Sequence, residues 1–203
     1  MTYKWLKNQV LKLLNQYTMA GSPVADLYNN QQDYLERIPS LANDAIMEIA
    51  TTVRKIQATM DLSMLPSEDL GEQIRYRLPT DFYQFKSGDT VITTDGKVLH
   101  TNQYSLQGQR FLIVPKDEDG EYSITYYRYP VLLEEKPADG DELDNAPETH
   151  FAVPFYVASF LAAHDEPFLC SLFMNKFTDK LQNMLPDITA EAHVTTDAYS
   201  FFV

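Results

Sequence analysis

Side chains that could do chemistry are widely separated in this 203-residue chain. The histidines are His100, His150, His164 and His193, and none belongs to an HExxH motif or a similar zinc-ligand spacing. The stretch 139–144 begins like a calcium-binding loop, with Asp139 and Asp141 alternating. Leu143 then stands at its fifth position, and Asp144 stands where the turn needs glycine. We therefore expect neither a metal site nor any other cofactor.

Candidate nucleophiles also lack the surroundings that would activate them. Cys170 lies within Phe168-Leu-Cys-Ser-Leu-Phe173, which predicts a buried apolar position, whereas a reactive thiolate needs an electropositive one. No serine lies in a G-x-S-x-G motif, and no two glycines are close enough for a phosphate loop. Asp165 and Glu166 are adjacent, so their carboxylates point apart. We predict that the protein is not an enzyme, although a site assembled only in space stays open.

The charge distribution restricts the partners. Sixteen Lys and Arg against 29 Asp and Glu give a net charge of −13. From Pro130 onward there are thirteen acids and three lysines, so −10 of that charge lies in the last third of the chain. Proteins that grip nucleic acid need a basic face, so we expect an acidic surface that solubilises the protein, faces a basic partner or lets DNA pass.

Composition also indicates where the protein is made. The single cysteine cannot form an intramolecular disulfide, and no run approaches the ~20 apolar residues of a membrane span. We expect a protein that is made in a reducing cytoplasm and that has no membrane partner.

Two amphipathic helices are predicted at the start of the chain. Leu6, Val10, Leu13, Leu14 and Tyr17 have helical spacing, and the segment 21–23, Gly-Ser-Pro, ends that pattern. A second pattern follows over 41–53. The apolar residues within 34–38 precede Pro39, which disfavours helix in the residue before it. They belong either to this second helix or to a separate first turn.

From about Arg54 the hydrophobic period changes to two, which predicts strands. The segment Thr90–His100 surrounds Asp95-Gly96, a strong hairpin signal. A second hairpin is predicted between Phe111–Val114 and Tyr122–Tyr127, across a loop ending at Gly120. We expect one compact antiparallel sheet between Arg54 and Leu133.

Helical spacing returns after an acidic surface segment. Pro154 suits the first turn of one helix, and Glu166-Pro167 suits the start of another. One stripe of the last helix is Leu169, Phe173, Phe177, Leu181 and Leu185, and Pro186 stops that helix. The predicted fold class is α+β, a helical bundle with two N-terminal and two C-terminal helices, an inserted antiparallel β module and a C-terminal extended tail. The predicted units are a bundle of 1–53 and 147–186, a β module of 54–133, an acidic linker of 134–146 and a tail of 187–203.

Several phrases resemble one family. Leu78-Pro-Thr-Asp-Phe-Tyr-Gln-Phe85 resembles the LPxDF phrase of the head-to-tail adaptor, or head completion, proteins of tailed bacteriophages. In this phrase Leu78, Pro79, Asp81 and Phe82 form a structural motif, because proline fixes φ, aspartate bonds nearby groups and phenylalanine anchors the core. The strand over 122–130 and the alanine-containing helix over 158–163 are also similar to that family.

The resemblance implies a structural virion protein. Such a protein forms a homo-oligomeric ring, a dodecamer beneath the portal, in the neck between head and tail. The ring continues the DNA channel used in genome ejection, binds a downstream tail protein, and lets DNA pass through its lumen without specific binding. The alternatives are a tail terminator or another tail-completion ring protein, and, from a different class, an acidic intracellular enzyme or regulator.

The end of the chain is the predicted partner-binding segment. Residues 187–198 carry few apolar groups, yet the chain closes on Tyr199, Phe201, Phe202 and Val203. Aromatic anchors on an extended arm typically dock on a partner. We expect this arm to bind the portal or a neighbouring subunit, with the portal favoured by the resemblance. The alternative is that the arm folds back on the protein's own helices.

Overall fold

A computed structural model describes residues 1–14, 30–85, 91–93, 98–99, 104–108, 110–116 and 122–184. Within these ranges the chain has four α-helices and two antiparallel sheets, which confirms the α+β class. The helices are α1 Tyr3–Leu13, α2 Asn30–Thr52, α3 Val153–Ala162 and α4 Pro167–Gln182. The tail predicted over 187–203 lies outside the described residues.

The first two helices differ in how they begin and continue. Thr2 caps α1, since its hydroxyl accepts a hydrogen bond from the Trp5 amide at 3.4 Å. The predicted end of that helix, from Tyr17 to Pro23, lies outside the described residues. Helix α2 runs without a break through Pro39, so the residues before this proline belong to the same helix. The helix tolerates the missing amide because Ile38 and Ala42, on either side, are fully buried in the core.

The last two helices begin where their prolines predict. Pro154 lies in the first turn of α3, and Pro167 opens α4. In the predicted stripe of α4, Phe173, Phe177 and Leu181 are buried, while Leu185 and Pro186 lie outside the described residues. The prediction of a buried Cys170 is wrong: the thiol is half-buried, because it lies next to the buried stripe and not on it.

The helices share one hydrophobic core. Helix α3 is central, because it packs against α1, α2 and α4. The fully buried side chains of this core include Leu6, Val10, Ile38, Ala42, Ala45, Ile46, Ile49, Val153 and Val157. Leu143, from the acidic segment, joins the same cluster at 4% exposure. The N-terminal and C-terminal helices therefore pack on each other, although the 100 residues of 53–152 separate α2 from α3.

Nine strands lie between α2 and α3 in the described part of the chain. They are β1 Ile56–Asp61, β2 Ser67–Asp69, β3 Gln73–Arg77, β4 Phe82–Phe85, β5 Val91–Thr93, β6 Val98–Leu99, β7 Ser105–Gln107, β8 Phe111–Pro115 and β9 Tyr122–Arg128. One sheet has the order β1-β9-β5-β6, with β4 also paired to β9. The other has the order β2-β3-β8-β7. The expectation of a single sheet is therefore wrong.

One predicted hairpin is confirmed and one is wrong. Strands β5 and β6 pair antiparallel, as the segment around Asp95-Gly96 predicts, although that turn lies outside the described residues. Strands β8 and β9 do not pair, because β8 joins β3 and β7 while β9 joins β1, β4 and β5. Their buried side chains, such as Leu112 on β8 and Ile124 on β9, share one core. The two strands thus belong to opposite sheets that enclose a common core.

The segment that follows β9 is bonded to both parts of the fold. Arg128, the last residue of β9, donates two hydrogen bonds to the Asp144 carboxylate, at 2.5 and 2.8 Å. The same carboxylate accepts from the Val131 amide at 2.7 Å. Further along, the Asn43 amide group of α2 donates to the Leu133 carbonyl at 2.9 Å and accepts from its N–H at 2.8 Å. These bonds hold the chain from β9 along α2 toward the helical core.

The acidic segment 134–146 is mostly exposed but has specific partners. Two backbone carbonyls of this segment accept hydrogen bonds from the start of α1. The Tyr3 amide donates to the Asp141 carbonyl at 2.7 Å, and the Lys4 amide donates to the Asp139 carbonyl at 3.1 Å. Lys7 also reaches the Asp139 carboxylate at 2.5 Å. Two of the orphan amides of α1 are therefore satisfied by this segment. The division of the chain into a bundle, a β module and a linker stays a prediction.

Replacing Asp144 by asparagine should destabilise the protein. The change removes the charged partner of Arg128, a guanidinium that is only 20% exposed, and it weakens the bond to the Val131 amide. Charge-assisted hydrogen bonds of this kind contribute about 1.5–3 kcal/mol. Urea unfolding at pH 7 should therefore show a loss of roughly that size. The exposed Asp165→Asn variant is the matched control, and an equal effect of both substitutions would contradict this role.

The stability difference between the wild type and Asp144→Asn should depend on pH. The hydrogen bonds from Arg128, followed by that from Val131, lower the pKa of Asp144 in the folded protein. A carboxylate with a lowered folded pKa stabilises the fold above its unfolded pKa of about 3.9, and this contribution is lost as the pH falls through the folded pKa. The difference in unfolding free energy between the wild type and Asp144→Asn should thus narrow below about pH 4. A difference that stays constant down to low pH would contradict this assignment.

Candidate functional site

The LPTDF phrase is the crossing between the two sheets. Arg77 ends β3 in one sheet, and Phe82 begins β4 in the other, so four residues connect them. Leu78 and Phe82, at the two ends of the crossing, are 5% and 9% exposed and belong to the same core. Pro79 fixes the backbone at the point where the chain leaves the first sheet. The structure thus places the four predicted motif residues at one corner of the β-rich part.

Hydrogen bonds hold this crossing on three sides. The Phe82 amide donates to the Pro79 carbonyl at 3.1 Å, which closes a turn. The Leu78 amide donates to the Arg110 carbonyl at 2.9 Å, and the Tyr129 amide donates to the Asp81 carbonyl at 2.7 Å. The crossing therefore connects the end of β3 to the turn before β8 and to the end of β9.

The Asp81 side chain binds a buried phenol. The Tyr126 hydroxyl donates to its carboxylate at 3.2 Å. Burial raises the pKa of Tyr126 to about 12, and the neighbouring Asp81 charge adds to that effect. The Phe82 ring lies 5.6 Å from the ring of Tyr126 and 5.0 Å from that of Phe85. Asp81 and Phe82 together fix the central strand β9 from one side.

On its outer side the crossing forms an open notch of about 590 Å³. Its lining residues are Arg77, Leu78, Pro79, Thr80, Phe82, Gly108, Arg110 and Tyr129. Gly108 has a φ of +58°, in the left-handed region, which turns the chain between β7 and β8 and brings Arg110 to the notch. Both arginines are exposed to solvent. We call this site the arginine notch.

The two arginines of the notch differ from the other four in the chain. The others form ion pairs, which are Arg37–Asp33, Arg54–Glu148, Arg75–Glu68 and Arg128–Asp144. For Arg77 and Arg110, the structure shows no side-chain hydrogen bond or ion pair with any residue that it describes. This pair could not be predicted from the sequence, because 33 positions separate the two arginines and only the pairing of β3 with β8 brings them together.

A second surface lies on the helices. The Trp5 and Phe151 rings meet edge to face at 5.8 Å. They line a groove of about 300 Å³ together with Gln9, Leu13, Pro154, Phe155 and Lys180. Phe151 is 58% exposed, and Phe168, at the start of α4, is 78% exposed. Exposed aromatic side chains of this kind are enriched at protein interfaces.

The remaining candidate residues do not come together. Tyr199, Phe201, Phe202 and Val203 lie outside the described residues, as do His100 and His193. The His150 ring is buried, its Nε2 lies 3.1 Å from the Asn145 carbonyl, and burial lowers its pKa. His164 is exposed beside Asp165. In the described part of the chain, no three His, Cys, Asp or Glu residues form a group able to hold a metal ion.

Comparison with protein families identifies the chain. A family model described as SU10 adaptor protein matches residues 1–199. The chain belongs to the SU10 adaptor family. Membership confirms the resemblance to phage head-to-tail adaptors and makes the protein a structural adaptor of a phage virion, a class that is normally not enzymatic. A search of curated proteins gave no match. Among the described helices, none has the length and apolar character to cross a membrane.

In this SU10 adaptor, truncating Phe82 should disrupt the corner between the sheets. Phe82→Ala removes a ring that contacts Tyr126 and Phe85, and such changes in a core cost about 3–5 kcal/mol. Chemical denaturation should show a loss of that order. Thr80→Ala, at an exposed position of the same crossing, is the control and should change stability by less than about 0.5 kcal/mol. Similar small effects of both variants would show that the crossing does not anchor the core.

Proposed function

We propose that this SU10 adaptor forms a ring beneath the portal of a tailed phage, continues the DNA channel into the tail and provides the tail's attachment site. The observation that carries the proposal is the family match over residues 1–199 of a 203-residue chain. The ring has the portal's twelvefold symmetry, and its location is the virion neck. Its partners are the portal protein, a downstream tail protein and further copies of the chain.

The charge of the protein supports passage of DNA through such a ring. At −13 per copy, a lumen lined by this protein repels phosphates and does not retain them. A channel that neutralised phosphates would release counterions and bind the genome tightly, which would slow its ejection. The chain after Pro130 has a net charge of −10 out of −13, so it carries most of the net negative charge.

The exposed apolar side chains support assembly with other proteins. Phe151 and Phe168 lie on the helical part, while Val131, 69% exposed, lies just after β9. Aromatic side chains bury large areas and dominate the energetics of protein interfaces. Their separate positions are consistent with a subunit that contacts neighbours and partners on several sides.

Mixing the protein with its portal should give a ring of defined mass. We expect native mass spectrometry to show one adaptor copy per portal subunit, and electron microscopy to show a ring with the portal's symmetry. The control is the same adaptor with an unrelated ring protein of similar charge. An adaptor that remains monomeric with assembled portals would contradict the proposal. So would tight, salt-sensitive retention of duplex DNA by the free protein.

Deleting residues 198–203 should separate folding from attachment. These residues include Tyr199, Phe201, Phe202 and Val203, the proposed anchors. We expect the melting temperature of the isolated subunit to change little, while attachment to portal-containing heads is lost. Deleting residues 192–196, which carry neither an acidic side chain nor one of the proposed anchors, is the control and should leave attachment intact. A truncated subunit that unfolds, or one that still joins heads normally, would contradict the role of this segment.

A further inference from the structure

We propose that the arginine notch of one subunit binds the acidic C-terminal segment, residues 187–203, of a neighbouring copy. This inference rests on the proposed ring, since it names the contact that joins adjacent subunits. The notch supplies two guanidinium groups, and the segment supplies carboxylates with aromatic anchors. The sequence alone favoured the portal as the partner of this segment, whereas the notch favours a neighbouring adaptor subunit.

The arginines of the notch have no ion pair with any of the residues that the structure describes. The other four arginines are paired with carboxylates of their own chain. A guanidinium presents a planar array of N–H donors that matches a carboxylate. Two of these groups in one open notch therefore form a receptor for an acidic peptide.

The charge of the assembly also favours such a contact. Copies of −13 repel one another, so a ring needs contacts at which cations of one copy meet anions of the next. Like charges placed opposite each other at an interface destabilise it. The unpaired arginines of the notch are suited to provide such a contact.

The residue types of the segment complement those of the notch. Residues 187–203 contain Asp187, Glu191 and Asp197 and no lysine or arginine, and they end in Tyr199-Ser-Phe-Phe-Val. The notch has an aromatic wall as well as its cations, since Tyr129 lies in it with its ring 5.0 Å from that of Tyr83. Acidic and aromatic groups of the segment thus meet cationic and aromatic groups of the notch.

The length of the segment allows it to reach another subunit. Fully extended, seventeen residues span about 55 Å, more than the width of a domain of this size. A contact in which one copy supplies the segment and the next supplies the notch is heterologous. Heterologous contacts form a ring when the rotation between neighbouring copies closes, and in the proposed assembly the portal's symmetry sets that rotation. If the segment bound the notch of its own chain, adjacent copies would not attract each other through this contact. Duplex DNA is a weaker candidate, because two cations release few counterions.

Charge reversal with rescue tests the contact. Arg77→Glu/Arg110→Glu should weaken assembly on the portal by about tenfold or more, as should Asp187→Arg/Glu191→Arg/Asp197→Arg. A protein that carries both sets of changes should recover assembly to within about threefold of the wild type, since the charges are exchanged. Arg37→Glu/Arg54→Glu is the control, with the same charge change elsewhere, and should not be rescued by the reversed segment. If the notch variant is unstable, Arg77→Gln/Arg110→Gln replaces it, with loss of assembly still expected.

A disulfide trap decides which chain supplies the segment. One population carries Thr80→Cys and another carries Ala198→Cys, both with Cys170→Ser so that no native thiol interferes. Oxidation of the mixture on portals should give a covalent dimer of the two, whereas a cysteine at Lys12, on α1, should give none. No dimer, or efficient closure only within a chain that carries both cysteines, would overturn the inference.

Two further outcomes are distinguishable from these. Wild-type protein that forms no ring on the portal would overturn the proposed function itself. A normal wild-type ring that is unaffected by either charge reversal would overturn only the notch contact. If the wild type binds duplex DNA and Arg77→Glu/Arg110→Glu loses that binding but assembles normally, the notch is a DNA contact. That result would also overturn the notch contact between subunits.

Discussion

The ion pair between Arg128 and Asp144 is the constraint on which the arrangement of this protein depends. Arg128 ends the strand that pairs with β1, β4 and β5, while Asp144 follows Leu143, which is buried in the helical core. Two hydrogen bonds between these side chains hold the five-stranded sheet against the chain that leads into α3. Because the pair is partly buried, each charge depends on the other for its solvation. A charged, hydrogen-bonded contact thus joins the five-stranded sheet to the segment that leads into the helical core.

The sequence predicts the elements of this fold better than it predicts their partners. Apolar spacing located α3 and α4, and the prolines at 154 and 167 placed their starts, because both signals are local. Strand pairing is not local. Alternation over β8 and β9 shows that each has a buried face, but an equal pattern arises whether two strands pair at their edges or meet face to face across a core. The structure has the second arrangement.

The candidate site shows the same limit. The LPTDF phrase was recognisable because proline, aspartate and phenylalanine have fixed backbone and packing preferences, and the structure gives each a local partner. The arginine notch was not recognisable, because Arg77 and Arg110 are ordinary surface residues until β3 pairs with β8. What distinguishes them is that they have no ion pair within the described part of the chain, which only a folded structure shows. The charge composition predicted an acidic surface, but it did not indicate where exposed cations would lie.

The packing of α3 against α1 has a consequence for synthesis of the chain. Tyr3, Leu6 and Val10 are buried in a core that also needs Leu143, Val153 and Val157. The first helix therefore leaves the ribosome long before the residues that cover its apolar face. Contacts so distant in sequence slow folding, since a long loop must close before they form. During that interval the apolar face of α1 stays exposed, and exposed apolar surface of this kind makes a chain prone to aggregation.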